Sequence, residues 1–346
     1  MSLNLINPFM KFAAGGAGFG DNWQEIGRAN ATGSSDTISV SVTNMPQMLV
    51  FVSTFGSSSF ADTLQVNSET GTEYAYRYQV DNAGSTVDDN NATGLRLYSN
   101  SDDNPNFEYF FINNTAGQEK YVNGKCVQRG TNSASNNINC GAFAGKSAVT
   151  AAISSIQIVD DNRNNYDAAS EVVVLGFDPS ASSTSGKWEP IVTTTAGSTT
   201  DSIPSGTLGS NSYKYLWGQG YCVNSGSIEV GYRIDSNTST DYAMGYNNNG
   251  TISFLTGRSL WDSNHSAGGT EYYNFFALNI DGQAKLMIGE IMDMGGSDAS
   301  STVPSRADMF GKYIKSPDGL ISTLDVTNVG GGSFQSASTY NLWGFD

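Results

Sequence analysis

The chain has 346 residues, 38% hydrophobic and 11% aromatic, which excludes a disordered polypeptide and suits two cores of about 170 residues each. Only 14% of the residues are charged, and Gly, Ser, Thr and Asn fill the polar positions, which disfavours long exposed helices and points to β structure. The balance of 17 basic to 33 acidic residues leaves a net charge of −16, which repels a phosphate backbone, so no nucleic acid is expected as a direct partner.

Residues 1–21 hold the run Ala-Ala-Gly-Gly-Ala-Gly-Phe-Gly, which suits neither strand nor stable helix, together with Phe9, Phe12 and Phe19. Two readings stand: an extended arm whose phenylalanines dock on a neighbouring subunit, and a loose terminus. The segment lacks an apolar signal-peptide core, and no stretch elsewhere approaches 18 apolar residues. Neither routine secretion nor membrane insertion is expected.

Further along, Ile38, Val40 and Val42 alternate with serines, as in a strand with one buried face. Residues 48–52 and 171–175 are apolar at successive positions, as expected of strands covered on both faces. Turn-rich runs at 88–94, 99–105 and 245–250 separate strands at close intervals, favouring a sandwich or jelly roll over β/α alternation. The spacing of Ala307, Phe310, Gly311 and Ile314 predicts a short helix over 306–315.

An internal repeat organises these elements. Ile153, Ile156, Ile158, Tyr166, Ser170 and Phe177 recur as Ile321, Leu324, Val326, Phe334, Ser338 and Phe345, each 168 positions on. Ser68, Thr72, Tyr74 and Ala75 meet Ser236, Thr240, Tyr242 and Ala243 at the same offset, and Phe107 meets Phe275. Trp23 and Trp188 stand 165 apart, so a three-residue indel separates the two offsets. Such a register across separated segments implies duplication. The predicted fold is all-β, two tandem jelly-roll-like antiparallel β-sandwich domains related by internal duplication: an arm over 1–21, a first sandwich over 22–178, a linker over 179–186 and a second sandwich over 187–346.

The residues for chemistry are sparse. His265 is the only histidine and sits in a small-polar segment that reads as a loop, so a histidine-based triad and a zinc cluster both lack ligands. The pairs Asp88-Asp89, Asp102-Asp103 and Asp160-Asp161 read as solvated turns before calcium ligands. No catalytic residue, cofactor or metal is expected, and the chain reads as a non-enzyme. Cys126 and Cys140 could staple a hairpin or stay reduced, and Cys222 has no evident mate. Trp217, Tyr221, Tyr246 and Trp261 read either as core or as an exposed platform for a sugar or another subunit.

Residues 64–77, with Asn67, Gly71 and Tyr74, resemble a strand pair of tailed-bacteriophage virion proteins; the second copy keeps Thr240, Tyr242 and Ala243 but lacks the central glycine. The segment from Ala337-Ser338 to Trp343-Gly344 is similar to the closing strand of the same family, from which 174–176 departs by lacking the aromatic. The resemblance implies a virion structural protein assembled in the host cytoplasm, with no cofactor and no transferable catalytic residue. It also implies a homo-oligomer, trimers being frequent among such sandwiches. Two placements follow. One is a capsid decoration or accessory subunit that docks on other virion proteins through the arm or first domain. The other is a tail-fibre or tail-tip module that meets a host-surface glycan through Trp217, Tyr246 and Trp261.

Overall fold

The computed structural model describes residues 22–56, 61–80, 85–97, 105–178, 186–196, 200–208, 213–248, 251–293, 305–314 and 319–346. The arm carrying Phe9, Phe12 and Phe19, most of the 179–186 linker and the Asp102-Asp103 pair lie outside them.

The first copy contains β1 (Trp23–Asn30), β2 (Thr37–Ser41), β3 (Gln47–Thr54), β4 (Asp62–Val66), β5 (Tyr74–Val80), β6 (Ser85–Ala92), β7 (Leu95–Arg96), β8 (Asn106–Asn113), β9 (Lys120–Gln128), β10 (Asn139–Ser147), β11 (Ser155–Asp160) and β12 (Glu171–Phe177). The second contains β13 (Glu189–Thr195), β14 (Ser202–Ile203), β15 (Tyr215–Ile234), β16 (Tyr242–Asn248), β17 (Thr251–Arg258), β18 (Trp261–Leu278), β19 (Lys285–Asp293), β20 (Ser305–Tyr313), β21 (Leu324–Asn328) and β22 (Thr339–Phe345). No helix occurs among the described residues beyond a single 3₁₀ position.

The large sheet of the first copy runs β1-β12-β3-β8-β9-β10-β5-β6 and that of the second β13-β22-β15-β18-β19-β20-β16-β17, the same order strand for strand. A small sheet, β2-β11-β4-β7, closes the first sandwich. In the second copy β14, β21 and the far half of β15 take its place. There β15 continues from the large sheet into the small one through register shifts at Val223/Ser227 and Glu229/Gly231, where the first copy breaks into β3 and β4. Bulges let a strand turn such a corner without a loop. All pairings among the described residues are antiparallel, and the molecule is a tandem of duplicated β-sandwiches.

Local devices repeat with the topology. Asn67 and Asp235 both hold left-handed backbone, φ 55° and 51°, a conformation that Asn and Asp tolerate better than most residues. Asn67 Oδ1 accepts the amides of Ser154 and Ser155 at 2.8 and 3.3 Å; Asp235 Oδ1 accepts those of Ser322 and Thr323 at 2.8 Å each. Close by, the amide of Val66 donates to Tyr74 Oη at 2.9 Å, and that of Ile234 to Tyr242 Oη at 3.0 Å. Asn67→Ala and Asp235→Ala should each cost roughly 1–3 kcal/mol, because each leaves amides unpaired and puts a less tolerant residue at positive φ. Urea unfolding of the two variants measures this, and losses near zero would contradict the shared role.

The ladders also correct three expectations and decide between the two readings of Cys126 and Cys140. Residues 306–314 lie in and beside β20, not in a helix: Ala307, Met309 and Tyr313 face the second core while Phe310 faces the other side, so a strand covered on both faces mimics helix-like apolar spacing. His265 lies within β18 and not in a loop, since residues 266–268 pair with β15. Phe275 stands in the place of Phe110, not Phe107. Phe275 pairs with Gly218 and Phe276 with Trp217, as Phe110 pairs with Val50 and Phe111 with Leu49, so β8 and β18 run at an offset of 165. Cys126 points into the first core and Cys140, one register step away on β10, points out of the opposite sheet face, so no disulfide joins them. Mild oxidation of the native chain should therefore give no Cys126–Cys140 cross-link by non-reducing mass spectrometry; finding one would overturn the facing of these strands.

The two large sheets pack against each other. Met48, Val50 and Val52 of β3 enter the first core, whereas Leu49 and Phe51 enter a third cluster shared with Trp188, Tyr215, Trp217, Phe276 and Phe345 of the second copy. This is why β3 is apolar at successive positions: each face is covered, one by its own small sheet and one by the neighbouring sandwich. Four layers of sheet thus enclose three cores.

Candidate functional site

Of the two readings of Trp217, Tyr246 and Trp261, core or exposed platform, the two tryptophans follow the core one. Trp217 is fully buried between the sandwiches, stacked on Trp343 with ring centroids 4.7 Å apart, its indole N–H donating to Asn274 Oδ1 at 2.6 Å. Trp261 is fully buried in the second core, where its ring lies so close to Gly311 that a β-carbon there would come within 2.6 Å of it. Tyr246 is half-buried on β16. Large rings sit where desolvation rewards them most, and here that is the interior.

The strongest cluster of titratable groups is buried in the first sandwich. Asp62, at the start of β4, accepts from the Tyr166 hydroxyl at 2.6 Å, from Asn106 Nδ2 at 2.9 Å and from Thr54 Oγ1 at 3.2 Å. Asn106 Nδ2 also donates to Glu108 Oε1 at 2.9 Å, so one amide bridges two carboxyl groups. Glu108 Oε2 has no partner. Burial raises the pKa of Asp62 to about 6, with Asp160 adding repulsion against the bonds from Tyr166, Thr54 and Asn106. Burial, then Asp62, raises Glu108 well above the usual carboxylate range. Both side chains are sealed from solvent, so they can meet no substrate in this state. The second copy replaces Thr54, Asp62 and Tyr166 with Cys222, Val230 and Phe334.

Charged groups also join the sandwiches. Glu171 of the first copy accepts from Lys214 Nζ at 2.8 Å and the Tyr215 hydroxyl at 3.0 Å of the second, and from Arg28 at 2.7 Å. Burial opposes its charge, but Lys214 and Arg28 prevail and hold the carboxyl below its usual value. Lys125 reaches across to Asp308 at 2.8 Å and to Glu290.

One groove, of about 620 Å³, opens to solvent on the outer face of the first large sheet, beyond the area the second sandwich covers. Ala75, Tyr76, Asn90, Ala144 and Gly145 line it together with Tyr121, which is 57% exposed. Lys146 pairs with Glu119 at 3.2 Å and Arg77 with Asp88 at 3.3 Å along its rim. Of the carboxylate pairs named from sequence, Asp88 and Asp89 line it, and they do so from a strand instead of a turn. Tyr121, between Lys120 and Val122, gave one sequence signal: a large ring on what alternation marks as the polar face. No group of three or more His, Cys, Asp or Glu among the described residues is arranged to hold a metal ion.

No family profile matches the chain, and no curated protein sequence matches it. Among solved structures, it is similar to domains LG4-5 of the mouse laminin alpha1 chain, at 9% identity over 94% of this chain and 90% of that one, TM-score 0.18. It is also similar to the paired C2 domains of extended-synaptotagmin 2, at 6% identity over 87% and 92%, TM-score 0.14. A third is human GIVD cytosolic phospholipase A2, at 7% identity over 78% and 33%, TM-score 0.11. At these scores the likenesses carry no argument, and the class of protein rests on the ladders themselves: an all-β tandem of duplicated sandwiches.

Proposed function

We propose that the chain is a structural component of a phage virion, a capsid decoration or accessory protein that self-associates and docks on the particle. The observation that supports this reading is the fusion of two sandwiches through a shared aromatic core. Linked domains with small polar interfaces move relative to one another, whereas a large apolar interface makes one stiff body, the property a particle subunit needs. The residues that carry the resemblance to virion proteins serve that body: Asn67 and Tyr74 brace a turn, and Ser338 and Trp343 fix the closing strand.

The tail-tip alternative loses the aromatic platform it relied on, because Trp217 and Trp261 are interior. Gold labelling or cryo-EM of intact particles tests the proposal. Density on capsid faces is the expected result. Labelling confined to fibre tips would replace decoration by a tail role, and absence from purified particles would overturn the virion reading.

A further inference from the structure

The two copies use one patch of sheet in opposite ways. In the ladders, Ala75 and Tyr121 flank Lys146 as Ala243 and Leu286 flank Lys312, and Arg77 faces Ala144 as Gly245 faces Phe310. In the second copy every one of these positions is buried beneath the first sandwich, and Lys312 Nζ donates to the carbonyls of Arg129 and Thr131 at 2.9 and 3.2 Å. In the first copy the same patch is the open groove. Its residues have changed accordingly: tyrosine for leucine, alanine for phenylalanine, arginine for glycine.

A patch awaiting a large protein partner would keep the apolar character of its buried counterpart. This one has exchanged bulky apolar side chains for charges, an amide and small residues, set beside two tyrosines, Tyr121 and Tyr76. We infer that the groove binds a neutral carbohydrate, with a sugar face stacked on Tyr121 and its hydroxyls bonded by the rim. Sugars present apolar C–H faces edged by hydroxyls that both donate and accept. An exposed aromatic beside paired charges and amides offers both complements. Two cations, Arg77 and Lys146, against three carboxylates, Asp88, Asp89 and Glu119, leave the rim slightly negative and disfavour anionic sugars. This inference is independent of where the protein sits on a particle.

The test is titration of the full chain with cellohexaose, chitohexaose, laminarihexaose and mannohexaose, read by saturation-transfer NMR and calorimetry, with 3′-sialyllactose as the anionic comparison. At least one neutral sugar should bind. Tyr121→Ala should weaken it about tenfold, and Arg77→Ala should also weaken it. Tyr221→Ala, at an exposed tyrosine of the second copy, should leave binding unchanged. Thermal melting checks that the variants fold. Failure of all four sugars at millimolar concentration, preferential binding of the sialylated one, or equal binding by the Tyr121→Ala chain would each overturn the inference.

Discussion

Phe51→Ala should destabilise the molecule by roughly 3–5 kcal/mol and divide its thermal unfolding into two steps. Phe51 belongs to the first sandwich, yet its ring meets four from the second: Phe276 at 5.1 Å between centroids, Tyr215 at 5.3 Å, and Trp188 and Phe345 at 5.8 Å each. Truncation opens a void at the centre of the third core and removes edge-to-face contacts worth roughly 0.5–1.5 kcal/mol per pair beyond their area. The ion pairs at Glu171 and Lys125 cannot compensate, since each repays its own desolvation before contributing. With the two cores decoupled, each sandwich melts by its own stability. Differential scanning calorimetry should show one transition for the parent and two for the variant. A single transition shifted by only a degree or two would refute the central place given to this ring.

Glu108→Gln should stabilise the fold at neutral pH by roughly 1–3 kcal/mol, because a neutral isostere removes the cost of keeping an acidic group in a site that disfavours its charged form. The folded-state pKa values of Asp62 and Glu108 both lie above those of the unfolded chain, so the native state holds more protons. Stability is therefore present in acid and falls as pH rises, from the unfolded aspartate value near 4 through about 6 for Asp62 and through the raised range of Glu108. Asp160, Tyr166, Thr54 and Asn106 are the other polar groups around the pair. Urea unfolding at pH 5 and pH 8 should find the parent weaker at the higher pH and the variant flatter. Asp62→Asn should gain less, because an amide nitrogen would confront the donors of Thr54 and Asn106. If the parent strengthens from pH 5 to pH 8, the sign assigned to this cluster is wrong.

The tandem fold was legible in the sequence because its marks are local. Tyr74 and Tyr242 brace the same turn, and a repeated turn leaves a repeated spacing. The middle strands were harder. Phe107 and Phe275 share an offset of 168 only because phenylalanines are common there, while hydrogen-bond registry makes Phe110 the counterpart of Phe275. The fate of the tryptophans was not legible either. Trp217 lies on a strand whose alternation marks two faces, and only the docking of another sheet decides that its face is interior. Glu108 did leave a trace, a carboxylate inside the aromatic run of β8, but its partner Asp62 lies 46 positions away and meets it only after the sandwich closes. The groove was least visible, because it arises from a difference between two copies in what covers them.

The shared core has a consequence for synthesis. The Leu49 and Phe51 face of the first sandwich is completed only by residues from Trp188 onward, the last of them Phe345 at the far end of the chain. At about 5–20 residues per second, a ribosome leaves that face bare for roughly ten to thirty seconds after Phe177 emerges. During that interval the nascent first half is an adhesive surface, which neighbouring chains on one polysome could join before their own second halves arrive.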